Sequence, residues 1–200
     1  MRVAALRIAG GVARWRELGF EVTDEGTVML GAVRVELLAA RRPGTIASWV
    51  LEGPNVPESI DGLPTEAGAR GGPEAVHPNG VVGIDHVVVL TPSLERTTAA
   101  FAEVGIGCRR IRTAAGGVRQ GFFLLADLLV EVVDGTGLEG SAPARFWGLT
   151  AAADLRSAAS LLGDRLGPIR DAVQPGRRIA TVRAEAVGGL PLALISPRLK

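Results

Sequence analysis

Short runs of aliphatic residues, each bounded by Gly, Pro or Asp, set the hydrophobic pattern of this chain and predict β-strands. In the middle of the chain, a strand at 84–90 leads through a Thr-Pro-Ser turn into a helix that ends near Gly105. The helix is predicted from an apolar stripe at helical spacing, which consists of Leu94, Thr97, Phe101 and Val104. Three further strands are predicted at 109–113, 119–126 and 128–133. The order of elements is therefore βαβββ.

The same order returns toward the end of the chain, at a spacing of about 61 residues. Phe146 to Ala152 predicts the first strand, and Asp154 is a candidate N-cap for the helix. The last three strands are predicted near 169–173, 177–183 and 190–195. A shorter copy is predicted at the start of the chain, with a brief helix at 12–18 and strands at 3–8, 20–23, 27–30 and 32–38.

These patterns predict an α+β protein made of tandem βαβββ units. Residues 1–52 form a reduced unit, residues 53–82 a linker or long loop rich in Gly and Pro, and residues 83–198 a pair of complete units, 83–135 and 145–198. The short connection at 135–145 favours pairing of the two complete units. The alternative pairs the first unit with the second and leaves the last without a partner, for which a homodimer is a natural solution. A homodimer is accordingly predicted.

Two ionisable residues lie inside the aliphatic runs of the middle unit, His86 in the first strand and Glu131 in the last. Because side chains alternate along a strand, each of them shares its face with aliphatic neighbours. Burying an unpaired imidazole or carboxylate is costly. The pattern therefore predicts mutual pairing, a metal ion, or a ligand held in a pocket.

The stretch from Gly83 to Val89, the helix at 93–104 and the strand at 129–133 resemble the vicinal-oxygen-chelate superfamily, which includes glyoxalase I, bleomycin-resistance proteins and extradiol dioxygenases. The resemblance covers the middle unit well, the last unit moderately and the first weakly. It implies that the mixed sheets of paired βαβββ units curl into a cup, where first-strand and last-strand side chains commonly hold a divalent metal. It places His86 and Glu131 at ligand positions.

The chain departs from the family pattern in its last unit, where the repeat puts Trp147 opposite His86 and Ala193 opposite Glu131. Neither residue can bind a metal. Three interpretations remain: a third ligand from Glu36, the match to Glu131 in the first unit, or from a partner chain; a two-residue site completed by substrate; or no metal at all. One imidazole and one carboxylate suit zinc, iron, manganese or nickel, so the pair alone does not select the ion.

Four residues are candidates for a ligand pocket. Gln120 and Phe122 share one face of their predicted strand, and Arg178 on the equivalent strand of the last unit suits a carboxylate or phosphate. Trp147 would add an aromatic wall. Glu131 is the candidate general base, with Glu36 as its alternative. The second histidine, His77, precedes a proline and is predicted to be part of a turn, and Cys108 is predicted to be a small packing residue.

Composition excludes several classes of function. The chain is 47% hydrophobic, but no apolar run approaches the length of a membrane span. Its 22 basic and 21 acidic residues are interspersed, and the net charge of +1 does not favour nucleic acid. A single cysteine excludes an internal disulfide and fits a reducing cytoplasm. No phosphate-loop, dinucleotide-binding or hydrolase motif occurs.

Three functional hypotheses follow from these features and from the resemblance. The first is a metal-assisted lyase, isomerase or dioxygenase that acts on a small oxygenated molecule. The second is a metal-free protein that binds or sequesters a small molecule, as bleomycin-resistance proteins do. The third is a scaffold that mediates protein contacts.

Overall fold

The computed structural model describes residues 1–39, 44–135 and 138–198. Within these ranges the chain forms two mixed β-sheets, one of six strands and one of eight, together with three α-helices. The elements of the six-stranded sheet are β1 (Arg2–Ala9), β2 (Thr27–Leu30), β3 (Val33–Leu38), β4 (Thr45–Glu52), β5 (Ser59–Ile60) and β6 (Leu63–Ala67), with helix α1 (Val12–Glu17) after β1.

The eight-stranded sheet holds the remaining strands and is formed by two consecutive βαβββ units. The first unit is β7 (Val81–Thr91), α2 (Leu94–Glu103), β8 (Cys108–Thr113), β9 (Arg119–Leu125) and β10 (Leu128–Asp134). The second is β11 (Arg145–Ala153), α3 (Leu155–Leu162), β12 (Arg170–Asp171), β13 (Arg178–Thr181) and β14 (Leu192–Ile195). The predicted α+β class and the tandem βαβββ order are thus confirmed. Among the described residues, no helix is long and apolar enough to cross a membrane.

The capping signals in the sequence fix where the two longer helices begin. The Ser93 side chain accepts a hydrogen bond from the backbone N–H of Arg96, and the Asp154 carboxylate accepts one from that of Arg156. The apolar stripe of α2 faces inward, since Leu94, Thr97 and Phe101 are its buried residues.

The two complete units share one continuous sheet because their first strands, β7 and β11, lie side by side and antiparallel at its centre. Within each unit the last strand returns parallel to the first, as β10 beside β7 and β14 beside β11. The expectation of a homodimer required a unit without a partner. Here both units are paired within the chain, which removes that reason, and the homodimer stays a prediction.

The predictions for residues 1–82 need correction. Residues 20–23 do not form a strand, and the segment 53–82 contains β5 and β6 instead of only a linker. Strand β4 starts a second reduced unit, because it lies antiparallel to β1 and is joined in parallel by β6.

The six-stranded sheet repeats the topology of the eight-stranded one. Its strand order β2-β3-β1-β4-β6-β5 corresponds to β9-β10-β7-β11-β14-β13, and each pair of neighbours runs in the same relative direction in both sheets. The eight-stranded sheet adds β8 and β12 at its edges. The chain is therefore a repeat of paired units, and the N-terminal copy is the shorter one.

One large apolar core contains residues of both sheets and joins them. Trp49 of β4 is fully buried, and its ring centroid lies 6.1 Å from that of Phe101 on α2 and 5.3 Å from that of Phe146 on β11. Asp61, in the turn between β5 and β6, accepts hydrogen bonds from Arg96 and Thr97 of α2. These contacts fix the six-stranded sheet against one side of the eight-stranded sheet and leave its other side for the site.

Candidate functional site

The side of the eight-stranded sheet that faces away from the core, here called the open face, carries its side chains in rows of cross-strand neighbours. Directly paired residues point to the same face. One row runs across β8, β9, β10 and β7 as Arg110, Phe122, Glu131 and Val88. The next row contains Leu124, Leu129, His86, Thr150, Ala193 and Thr181. His86 and Glu131 are therefore diagonal neighbours on one face.

The imidazole of His86 and the carboxylate of Glu131 face each other across this diagonal. His86 Nε2 and Glu131 Oε2 are 3.7 Å apart, which is too long for a hydrogen bond. The other oxygen of Glu131, Oε1, accepts a 2.6 Å hydrogen bond from Gln120, whose own carbonyl accepts one of 2.6 Å from Arg112. The structure thus brings the predicted residues His86, Glu131 and Gln120 together and leaves one free atom on each member of the pair.

Asp85 holds the other side of the imidazole. Its Oδ2 lies 2.9 Å from His86 Nδ1, and its Oδ1 lies 2.7 Å from Nη2 of Arg177. Arg177 donates two further hydrogen bonds to the carbonyl of Ser196, at 2.8 and 2.6 Å. The side chains of Asp85 and Arg177 are only 5% and 7% exposed, so this ion pair is buried.

The charge state of Asp85 determines which ring nitrogen of His86 carries a hydrogen. Burial raises the pKa of Asp85, but hydrogen bonds from His86 and Arg177 outweigh this and lower the pKa to about 2. An ionised carboxylate can only accept, so Nδ1 of His86 carries the hydrogen. In the neutral ring, the lone pair of Nε2 then points toward Glu131.

Asp85 and Arg177 were not predicted from the sequence, and the reason is a β-bulge. The pairing of β7 with β11 passes from Ile84–Ala151 to His86–Thr150, so Asp85 has no partner and the strict alternation of faces is broken. A carboxylate beside a histidine in sequence was the available signal. Arg177 lies just before β13 as the structure assigns it, and no local pattern connects it to β7.

Two of the predicted pocket residues, Arg178 and Trp147, form no hydrogen bond or ion pair with His86 or Glu131 among the described residues. Arg178 is exposed, and its Nε lies 3.2 Å from Oδ1 of Asp171. By the alternation along β13 it shares a face with Ala180, which is buried. Trp147 lies in a second bulge of β11 and is 47% exposed, while its neighbour Phe146 packs in the core against Trp49. Phe122 is on the open face, directly across from Glu131.

Glu36 does not join the pair either, which corrects its assignment as a third metal ligand. It lies in the six-stranded sheet, where Arg7 and Arg34 each donate a hydrogen bond of 2.8 Å to it. Among the described residues, no group of three metal-ligating His, Cys, Asp or Glu side chains occurs. His86 and Glu131 therefore supply two ligands of the right chemical kind, and no third His, Cys, Asp or Glu side chain of the described residues joins them.

The six-stranded sheet has a position equivalent to the His86–Glu131 pair, and it carries different side chains. The bulge at Ala4 of β1 matches the bulge at Asp85 of β7, so Ala5 is the residue of β1 that corresponds to His86. Glu36 corresponds to Glu131, but its direct neighbour on the first strand is Arg7 instead of a valine. Arg7 also pairs with Glu66. An internal guanidinium thus occupies the space between carboxylates in this copy.

A cleft of about 350 Å³ opens beside the buried ion pair. Its lining includes Asp85, Leu124, Leu129 and Ala152 from the sheet and Arg198 near the chain terminus. Leu124 is 40% exposed, so the open face presents apolar surface next to the polar pair. Such a combination of apolar walls and a few convergent polar groups is typical of small-molecule sites.

His77 has a structural role in the described chain. Its Nδ1 accepts a 3.0 Å hydrogen bond from the backbone N–H of Glu21, and its Nε2 lies 2.8 Å from the carbonyl oxygen of Met29. The ring is 4% exposed. Both nitrogens are therefore used to tie the connection before β7 to the N-terminal sheet.

No family model matches the sequence, and no curated protein matches it. Among solved structures, the chain is similar to methylmalonyl-CoA epimerase from Mycobacterium tuberculosis, with a TM-score of 0.48 and 17% identity, covering 60% of this chain and 90% of that one. A variant of the Streptomyces coelicolor epimerase in complex with 2-nitronate-propionyl-CoA gives 0.47 and 16%, covering 58% and 97%. Hypothetical protein BH1468 from Bacillus halodurans C-125 gives 0.47 and 9%, covering 58% and 95%. Likeness at this level carries no inference about activity.

Proposed function

We propose that the open face binds a small oxygenated molecule and that His86 and Glu131 act on it with the help of a divalent cation. The observation that carries this proposal is the chain of contacts from Arg177 through Asp85 to His86. It costs desolvation of a buried ion pair, and such pairs add little to stability compared with apolar packing. Its effect is to present the Nε2 lone pair of His86 to the free oxygen of Glu131.

The two residues have distinct roles in this proposal. Glu131 supplies negative charge through Oε2, because Gln120 already occupies Oε1. His86 binds through Nε2, and Asp85 keeps the ring in the required tautomer and orientation, as carboxylates do for metal-bound histidines. Phe122 and Leu129 provide apolar surface that lowers the water content around the pair.

A divalent cation would be held by His86 Nε2 and Glu131 Oε2 and would polarise oxygens of the bound molecule as a Lewis acid. Two protein ligands make a weak site, so the remaining ligands are expected to come from the small molecule. Cation binding by the protein alone is therefore expected to be weak and to strengthen when a molecule with neighbouring oxygens is present.

Equilibrium dialysis of tag-free protein with Mn²⁺, with and without oxalate as a probe with neighbouring oxygens, tests this proposal. We expect weak uptake of Mn²⁺ alone and joint retention of Mn²⁺ and oxalate at equal stoichiometry. Retention of Mn²⁺, and with it the joint retention at equal stoichiometry, should be lost in His86→Ala and Glu131→Gln. Glu36→Gln is the matched control and should bind as wild type, because Glu36 pairs with arginines of the other sheet. Retention that is the same in all four proteins would contradict the proposal.

A further inference from the structure

Two arginines of the edge strand β8 lie on the open face in line with the proposed reacting pair. Arg110 is directly opposite Phe122 and Arg112 is directly opposite Gln120, so both point to the face that carries Glu131. A bulge at Arg109 sets this register, because the pairing passes from Cys108–Phe123 to Arg110–Phe122. The two guanidinium carbons lie 5.9 and 5.3 Å from the ring centroid of Phe122.

Neither guanidinium is neutralised by a carboxylate of the described residues. Arg112 Nε donates a hydrogen bond to the side-chain oxygen Oε1 of Gln120. The two outer nitrogens of this guanidinium are left for other partners. Arg110 forms no ion pair within the described chain. By contrast, Arg119 at the start of the next strand pairs with Glu95 of α2 on the other side of the sheet. Arg110 and Arg112 therefore place two positive charges without a carboxylate partner on the open face.

The geometry favours a bound anion over simple solvation of these side chains. Both guanidinium groups lie within cation–π distance of the Phe122 ring, and this attraction favours positions over the open face. Arg112 is also only partly exposed. Its hydrogen bonds continue through Gln120 to Glu131, so a ligand bound at Arg112 is linked to the reacting carboxylate by two hydrogen bonds of 2.6 Å each.

We infer that Arg110 and Arg112 form an oxyanion-binding arm, which holds a carboxylate or phosphate group of the small molecule while its oxygenated end lies at His86 and Glu131. Only the position of the oxygenated end at His86 and Glu131 rests on the proposed function. Planar guanidinium groups bind both kinds of oxyanion in a bidentate manner. The substrate is accordingly an acid, and its charge offsets the positive charge of the arm.

Titration calorimetry at low ionic strength on EDTA-treated protein tests the arm, with malonate and inorganic phosphate as separate probes. We expect at least one probe to bind, and the preferred probe identifies the group as carboxylate or phosphate. Arg110→Gln and Arg112→Gln should each weaken binding about tenfold or more, since each removes charge-assisted hydrogen bonds to the oxyanion. Arg119→Gln removes the same charge from the opposite face of the same sheet and should leave binding unchanged.

Two results would overturn the inference: neither probe binds, or Arg119→Gln weakens binding as much as the two arm variants do. His86→Ala separates this inference from the proposed function. Anion binding that persists in His86→Ala, while joint retention of Mn²⁺ and oxalate is lost, supports both. If wild type retains Mn²⁺ with oxalate but binds neither malonate nor phosphate, the arm alone is wrong; the reverse pattern contradicts only the cation-assisted function.

Discussion

The buried ion pair behind His86 makes a quantitative prediction about stability. Asp85→Asn keeps the size of the side chain but removes its charge, and leaves Arg177 buried without an anion. Lowering the pKa of Asp85 from 3.8 to about 2 corresponds to about 2 kcal/mol of stabilisation at neutral pH. Removing one partner of a buried pair typically costs about 3–5 kcal/mol. Because asparagine can still accept hydrogen bonds, we expect a loss of about 2–4 kcal/mol.

The pH dependence of this difference follows from the direction of the pKa shift. The folded pKa of Asp85 lies below its unfolded value, so its ionised form stabilises the fold above pH 3.8. That contribution falls as the pH drops through 3.8 toward 2 and is lost below the folded pKa. The difference in unfolding free energy between wild type and Asp85→Asn should therefore shrink as the pH falls below 4.

Urea unfolding followed by tryptophan fluorescence measures this difference, since Trp15 and Trp49 are buried and report on both the N-terminal sheet and the shared core. The double variant Asp85→Asn/Arg177→Met should be less destabilised than the sum of its single variants, because the unpaired cation is removed together with its partner. A loss below about 0.5 kcal/mol in Asp85→Asn would refute the reasoning, being within the range of ordinary surface substitutions. So would a difference that does not change with pH.

Two further predictions concern the backbone and the N-terminal sheet. Gly148→Ala should destabilise by about 1–3 kcal/mol, because its Cβ would lie 2.3 Å from the carbonyl oxygen of Pro191, whereas Gly140→Ala, where the Cβ meets open space, should leave the melting temperature nearly unchanged in calorimetry. Arg7→Met should cost only about 0.5–1 kcal/mol, because the pair is partly exposed and Glu36 keeps its second arginine. Burial raises the pKa of Glu36, but the hydrogen bonds from Arg7 and Arg34 outweigh burial and hold that pKa below its usual value. In Arg7→Met the pKa of Glu36 should therefore move upward in a carboxyl ¹³C titration. An unchanged pKa would show that Arg7 is not its partner in solution.

Local patterns were sufficient for much of the fold. The aliphatic runs of β7, β10 and β11 and the stripe of α2 have clear periods, and the capping residues Ser93 and Asp154 mark where helices begin. The order βαβββ in both complete units follows from these signals alone. Short strands such as β5 and β12 carry only two residues each, so their periodicity could not separate them from loops.

Some residues of the site could also be selected from local sequence patterns, and others could not. His86 and Glu131 could be selected from the sequence because each is an ionisable residue inside an aliphatic strand, and the cost of burying them demands a partner. Their neighbours could not, because a bulge moves Asp85 out of the alternation and a contact between distant elements brings Arg177 to it. The placement of Glu36 failed for a related reason. Sequence similarity between repeated strands indicates equivalent positions, but only the pairing of strands decides whether equivalent positions share one sheet.

The sequence by itself determined the α+β class, the repeated order of elements in the complete units and the two residues on which the proposed function depends. These properties are local, since they follow from side-chain period, capping and the cost of burying charge. Tertiary structure alone decided that the N-terminal strands form a separate sheet with Arg7 between its carboxylates, and that Arg177 and Asp85 orient His86. Those contacts join residues far apart in the chain, and a single bulge changes which face a side chain occupies, so no local pattern could specify them.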